Sequence, residues 1–169
     1  MNQIGAFQAD VWNLPMSPRV QNLYELNKLV GGRVKELEGH ALDGIYVAFD
    51  DDEWDFDSPV ILRVGEKLLI VLAVSGISTA IGIVPVNADL GVGMGYRAFG
   101  PLAVHFGKRI ERLYWRADSS RHPLALGIEL ADGVHVRIGD GGDTTIPTAS
   151  TPSSKEYPAE FDDIMLPVG

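Results

Sequence analysis

The residues to weigh first for acid–base or metal chemistry are the four histidines, His40, His105, His122 and His135. No two are spaced i, i+4, and neither HxH nor HExxH occurs, so no local pattern points to a metal. Asp50-Asp51-Asp52-Glu53 and Asp140-Gly141-Gly142-Asp143 are rich in oxygen ligands. A calcium loop needs such ligands at alternating positions with a closing glutamate, and neither run supplies them. Gly91-Val92-Gly93-Met94-Gly95 lacks the GxGxxG spacing and the lysine of a phosphate loop. Ser75 and Ser78 are not set in a GxSxG elbow. With no cysteine in the chain, thiolate chemistry and disulfides are excluded. The reading assigns no catalytic residue, no cofactor and no metal ligand.

One segment does stand out. Asp50 to Asp57 holds six carboxylates in eight residues: Asp50, Asp51, Asp52, Glu53, Asp55 and Asp57, with Trp54 and Phe56 between them. Charges of one sign this dense repel, so the segment reads as a solvated loop. Solvation does not account for the two aromatics. Two readings stand side by side. In one, Trp54 and Phe56 fold back over a sheet edge. In the other they anchor a contact ringed by carboxylates, the way tight interfaces are built. On the second reading all eight residues are partner-binding. A basic stretch, Lys108 to Arg121, carries five Lys/Arg and two acidic residues, so charge is segregated along the chain.

The overall charge agrees. The 169 residues include 23 acidic and 14 basic ones, a net charge of −9. Such a surface repels phosphate and favours a cationic partner, so no nucleic acid is expected. Apolar residues are 46% and charged residues 22%, a globular balance in one domain spanning residues 1–169. The first ten residues have no basic and apolar regions of a secretory signal. Leu68 to Val86 carries no charge, but its β-branched residues and the Ser75-Gly76 turn read as two buried strands rather than a membrane span. The expectation is a cytoplasmic protein away from membranes.

The elements that must position the acidic segment follow from periodicity. Residues 17–31 read as a helix, with Ser17 as cap, Pro18 at the first position, Val20, Leu23, Leu26 and Val30 on one face, and Gly31-Gly32 as the stop. Arg33 to Leu37 reads as a short strand. Gly44 to Phe49 alternates, with Ile45, Val47 and Phe49 on one face. Val60–Val64 and Leu68–Val74 form a hairpin around Gly65-Glu66-Lys67, apolar on both faces and therefore covered on both. A helical turn is expected near Pro101 to Phe106, and a strand at Arg109 to Trp115.

The hairpin Leu124–Leu130 and Val134–Ile138 has a register that can be argued. A two-residue Asp132-Gly133 loop would set Leu130 against His135 and mix apolar with charged side chains on each face. A three-residue Ala131-Asp132-Gly133 loop pairs Leu130 with Val134 and Ile128 with Val136, giving one apolar face. Gly133 then takes the left-handed position, and Glu129 sits opposite His135.

Two stretches echo each other. Gly32 to Leu37 resembles Lys108 to Leu113, and Gly44 to Asp50 resembles Gly127 to Asp132. Pseudo-duplication of 32–74 and 107–139 and chance likeness between alternating strands are both open. The Thr/Pro/Ser-rich stretch 140–156 reads as loop or linker, and 157–169 as a terminal segment that either docks or frays.

The pieces Gly107–Leu113, Gly127–Gly133 and Val134–Asp140, with echoes at Gly32–Leu37 and Gly44–Asp50, resemble small bacterial immunity proteins, which guard a producing cell against polymorphic or contact-dependent toxins. The resemblance implies a non-enzyme whose partner is a basic cognate toxin domain. The fold expected is β-rich α+β, with two related antiparallel β units and one N-terminal helix. The function expected is neutralisation of a basic protein partner by occlusion. The alternatives are an enzyme or small-ligand domain with a pocket between the two β units, where Glu129 and His135 would be the pair to inspect, and a structural subunit of a larger assembly.

Overall fold

The computed structural model describes residues 17, 20–74, 78–87, 95–118, 120, 122–139, 144–151 and 164–169. The first ten residues, Pro18, the Ser75-Gly76 turn, Gly91–Met94, Asp140–Asp143 and 157–163 lie outside them. The described residues form a β-rich α+β fold. One helix, α1 (23–35), precedes eleven strands: β1 (Ala41–Asp50), β2 (Glu53–Asp55), β3 (Val60–Val64), β4 (Lys67–Val74), β5 (Ser78–Pro85), β6 (Tyr96–Ala98), β7 (Lys108–Ala117), β8 (Pro123–Leu130), β9 (His135–Ile138), β10 (Pro147–Ser150) and β11 (Ile164–Pro167). They make one antiparallel sheet in the order β10-β9-β8-β7-β1-β3-β4-β5, with β2 and β6 added to β1 and β11 to β7. No helix among the described residues is long and apolar enough to cross a membrane.

β1 organises the sheet. Along one edge it pairs with β2 and then β3, and along the other with β6 and then β7. Each flanking strand is thus interrupted, on one side by Phe56–Pro59 and on the other by the 3₁₀ turn Gly100–His105. Ile45 and Val47 point into the main core with Val60, Leu62, Leu69, Val71, Leu113, Trp115, Ile128 and Val136. Ile61 and Ile70 form a smaller cluster, covered by the half-buried Tyr46, Leu68, Val84 and Tyr96. The β3–β4 hairpin is therefore apolar and buried on both faces, as its sequence predicts. Its loop is shorter than expected. Val64 pairs with Lys67, leaving Gly65-Glu66 alone in the turn, with Gly65 at φ +56.

The helix departs from its sequence signals at both ends. Its cap is Asn22, whose side chain accepts from the Tyr24 and Glu25 amides. Ser17 instead serves β5: its amide donates to Ile81 O at 2.7 Å and its Oγ accepts from Ile81 N at 3.0 Å. Val20 exchanges both backbone bonds with Thr79. Unsatisfied edge groups of β5 outcompete a local cap for this segment. Nor does Gly31-Gly32 end the helix. It passes through a π-helical turn, Asn27–Gly31, and continues as α-helix over Gly32–Lys35. Asn27 Oδ1 accepts from Trp115 Nε1 at 3.0 Å and from Gly169 N at 2.8 Å. A Cβ on Gly31 would stand 2.2 Å from that oxygen. Gly31 is there for close approach, not for termination. The expected strand Arg33–Leu37 is consequently helix and turn, while its look-alike Arg109–Leu113 is strand.

The second hairpin has the argued register. Glu129 pairs with His135 and Ile128 with Val136, Leu130 N donates to Val134 O, and Gly133 has φ +85. The composition of 140–156 suggests only a linker, yet Pro147–Ser150 forms strand β10 on β9. The cause is that β9 offers it a free edge. The C-terminal segment docks over its described part: β11 pairs with Tyr114–Ala117 of β7, and Val168 is buried.

Candidate functional site

The segment Asp50–Asp57 is a hairpin rather than a loop. Asp50 pairs with Glu53, Phe49 with Trp54, and Ala48 with Asp55, so Asp51-Asp52 is a two-residue turn. Both turn residues are left-handed, Asp51 at φ +48 and Asp52 at φ +63. Two consecutive positive φ values match the twist of the flanking strands. Asp-Gly is among the pairs that meet that need at little cost, so Asp51 is ordinary there, whereas a second aspartate in place of glycine adds strain and an adjacent like charge.

The eight candidate residues divide by side-chain direction. Asp51, Asp52, Glu53 and Asp57 are exposed. Among the described residues none of these four carboxylates makes an ion pair or accepts a hydrogen bond. Trp54, Asp55 and Phe56 are half-buried. Trp54 packs edge-on against Phe49 and Phe99, each at 5.0 Å between ring centroids, and Phe56 meets Phe99 at 6.0 Å. Trp54 and Phe56 both lie against the main core. These are fold-back contacts, and they brace the hairpin from below. Asp55 works internally as well. Its carboxylate accepts from Asp57 N at 2.9 Å and Ser58 Oγ at 2.7 Å, closing the bend that leads to β3. It also lies near Tyr96, whose phenol donates to Pro59 O at 2.8 Å. Burial, with help from Asp55, pushes that phenol far above its ordinary range. Thr145, fully buried, donates its amide to Phe56 O at 2.8 Å and ties the hairpin's end to the β9–β10 connection. Asp50 keeps one oxygen buried without a partner. Arg97 stands 4.1 Å over the Phe49 ring and covers the aromatic face.

The basic stretch behaves differently. On β7, Lys108 meets Asp132 at 2.5 Å, Arg109 meets Glu111, and Arg112 meets Glu129 at 2.9 Å. The Lys108 ammonium holds the Asp132 carboxyl below the usual carboxylate range.

Glu129 and His135 face each other across the register, but each spends its side chain elsewhere. Glu129 takes Arg112. His135 is buried, and its Nδ1 lies 2.8 Å from the Tyr114 hydroxyl. Burial lowers the imidazole's basicity. Arg112, Arg116 and Arg137 add to that and Glu129 opposes it. The Tyr114 ring reaches His135 across β8 because Gly127 leaves room: a Cβ there would lie 2.1 Å from the ring. A lone glycine inside an otherwise apolar strand was the available signal for this close approach. Among the described residues no group of three or more His, Cys, Asp or Glu is arranged to hold a metal.

A groove lies between the end of α1, the β3–β4 turn and β5, lined by Arg33, Glu36, Leu37, Val64, Glu66, Lys67 and Ile83 among others. It is not a pocket between two β units. Reading Arg33–Leu37 as a strand hid it, because only a helix brings Arg33 and Glu36 to one side.

Comparison of this chain with models of protein families, with curated proteins and with solved structures finds no match.

Proposed function

We propose that this is an acidic binding protein that neutralises a basic protein partner, in the manner of an immunity protein that occludes a toxin domain in the cytoplasm of the producing cell. One observation carries the reading: the tip of the β1–β2 hairpin holds Asp51 and Asp52 in left-handed backbone with their carboxylates unpaired. A turn selected for stability alone would place glycine at the second of these two positions, where Asp52 stands. Strain kept at an exposed tip is a reason to look for a contact made there. Asp51, Asp52, Glu53 and Asp57 would stand in for phosphates of the partner's substrate. Trp54 and Phe56 hold the tip rigid, which lowers the ordering cost on binding. The same reading keeps 32–74 and 107–139 as related units, since the strand from Gly44 and the strand from Gly127 each run into a hairpin turn that holds an aspartate and a left-handed residue.

The test is capture of binding proteins from the producing organism's own lysate and secretome, then kinetics against the captured partner. The expected partner is basic, and its association with the Asp51→Ser, Asp52→Ser, Glu53→Ser variant is slower. Failure to capture any basic protein, or an unchanged association rate, overturns the proposal.

A further inference from the structure

The groove beside α1 is independent of the acidic hairpin, and its chemistry points elsewhere. Its volume is about 630 Å³, within the range of roughly 300–1,000 Å³ over which small ligands are held. The floor is apolar: Leu37 and Val64 are buried and Ile83 is half-buried. Arg33 and Glu36 stand at the end of the helix and Lys67 and Glu66 on the turn, four charged groups with the His40 imidazole beside them. None of the four is in an ion pair. Lys35 and Glu38, on the neighbouring face of the same turn, do pair, at 3.4 Å. Opposite charges are thus gathered around one groove without pairing with each other.

The edge of β5 adds a second feature. Thr79 and Ile81 turn their backbone groups away from β4, and all four are taken, by Val20 and by Ser17. Ile83 points the same way by the strand's alternation. Its carbonyl accepts from Arg33 Nη2 at 3.0 Å. Its N–H has no partner among the described residues, and Ile83 lines the groove. Among the described residues the edge is covered as far as Ile81, and the Ile83 N–H is the next donor that faces away from β4.

We infer that the groove binds a dipeptide-sized zwitterion that adds to the edge of β5. A ligand carbonyl accepts from the Ile83 N–H. Its ammonium lies against a groove carboxylate, its carboxylate against Arg33 or Lys67, and an aliphatic side chain covers Leu37 and Val64. Added backbone on a strand edge gives affinity, and the charges at each end give selection. A ligand with a single charge leaves half of the groove's ionic groups unmet.

The probe is the dipeptide leucyl-leucine, titrated into the ¹⁵N-labelled protein and read at the Ile83 amide by NMR. The expected result is a saturable shift of that amide. N-acetyl-leucyl-leucine and leucyl-leucine amide each lack one charge, and each should bind about tenfold more weakly, the loss of one charge-assisted hydrogen bond. Glu66→Gln and Lys67→Met, both at exposed positions, should weaken binding similarly with an unchanged melting temperature. No saturable shift at Ile83, or blocked dipeptides that bind as tightly as the free one, overturns the inference.

Discussion

The β1–β2 hairpin and strand β7 carry charge at similar density and treat it in opposite ways. On β7 each of Lys108, Arg109 and Arg112 has a carboxylate beside it. At the hairpin tip Asp51, Asp52 and Glu53 have no cation beside them, and two of the three sit in left-handed backbone. Where charge serves the fold it is paired: Arg112 with Glu129 across β7 and β8, Arg109 with Glu111 along β7, and Lys108 with Asp132 in the turn beyond β8. Where it is left exposed, unpaired and strained, the fold gains nothing from it. The contrast separates residues that build the molecule from residues that it displays.

The contrast can be broken first on the β7 side. Gly127→Val should destabilise by about 3 kcal/mol, because a Cβ at 127 overlaps the Tyr114 ring and overpacking costs of that order. Chemical denaturation measures it. An unchanged midpoint would mean that the Tyr114–Gly127–His135 crossing is not part of the stable structure.

Beneath the hairpin, Trp54→Ala should cost about 2 kcal/mol, less than a fully buried aromatic, since Trp54 is half-buried against Phe49 and Phe99. The folded fraction should associate with the basic partner at the wild-type rate. Loss of affinity in a variant of unchanged melting temperature would make Trp54 a displayed residue and move it across the comparison.

His135 supplies a pH dependence. Its pKa is lower in the folded chain than the ordinary 6.5, chiefly through burial. The unfolded chain therefore binds more protons below that value, and stability rises with pH there. The stabilising contribution is complete above pH 6.5 and is lost as pH falls below it. Denaturation midpoints of the wild type should drop over this window, and those of His135→Gln should drop less. Equal slopes would remove His135 as the cause.

The smallest change expected is a gain. Asp52→Gly relieves a left-handed aspartate and should stabilise by about 1 kcal/mol. A loss of stability would show that the Asp52 side chain supports the turn and that the tip is not strained.

Much of this architecture is legible in the chain, and the failures have physical causes. The β8–β9 register follows from Leu130, Ile128 and Leu126 needing apolar partners, which a single loop length provides. The buried stripe Val20, Leu23, Leu26, Val30 is also legible, although Val20 belongs to a strand bridge and not to the helix. Ser17 and Gly31 mislead because their local grammar, cap and stop, yields to distant partners: Ile81 for the first, the Asn27 side chain for the second. The acidic run conceals a hairpin because pairing of Asp50 with Glu53 sets like charges opposite each other, an arrangement that pattern reading disfavours. The groove depends on a helix that alternation disguised as a strand.

The central claim is that the tip carboxylates are displayed for a basic partner. The most direct measurement is the association rate of the captured partner with wild type and with the Asp51→Ser, Asp52→Ser, Glu53→Ser variant, over a range of salt concentrations. The account predicts slower association for the variant, a shallower dependence on salt, and a dissociation rate and melting temperature close to wild type. Association at the wild-type rate with the same salt dependence would contradict it.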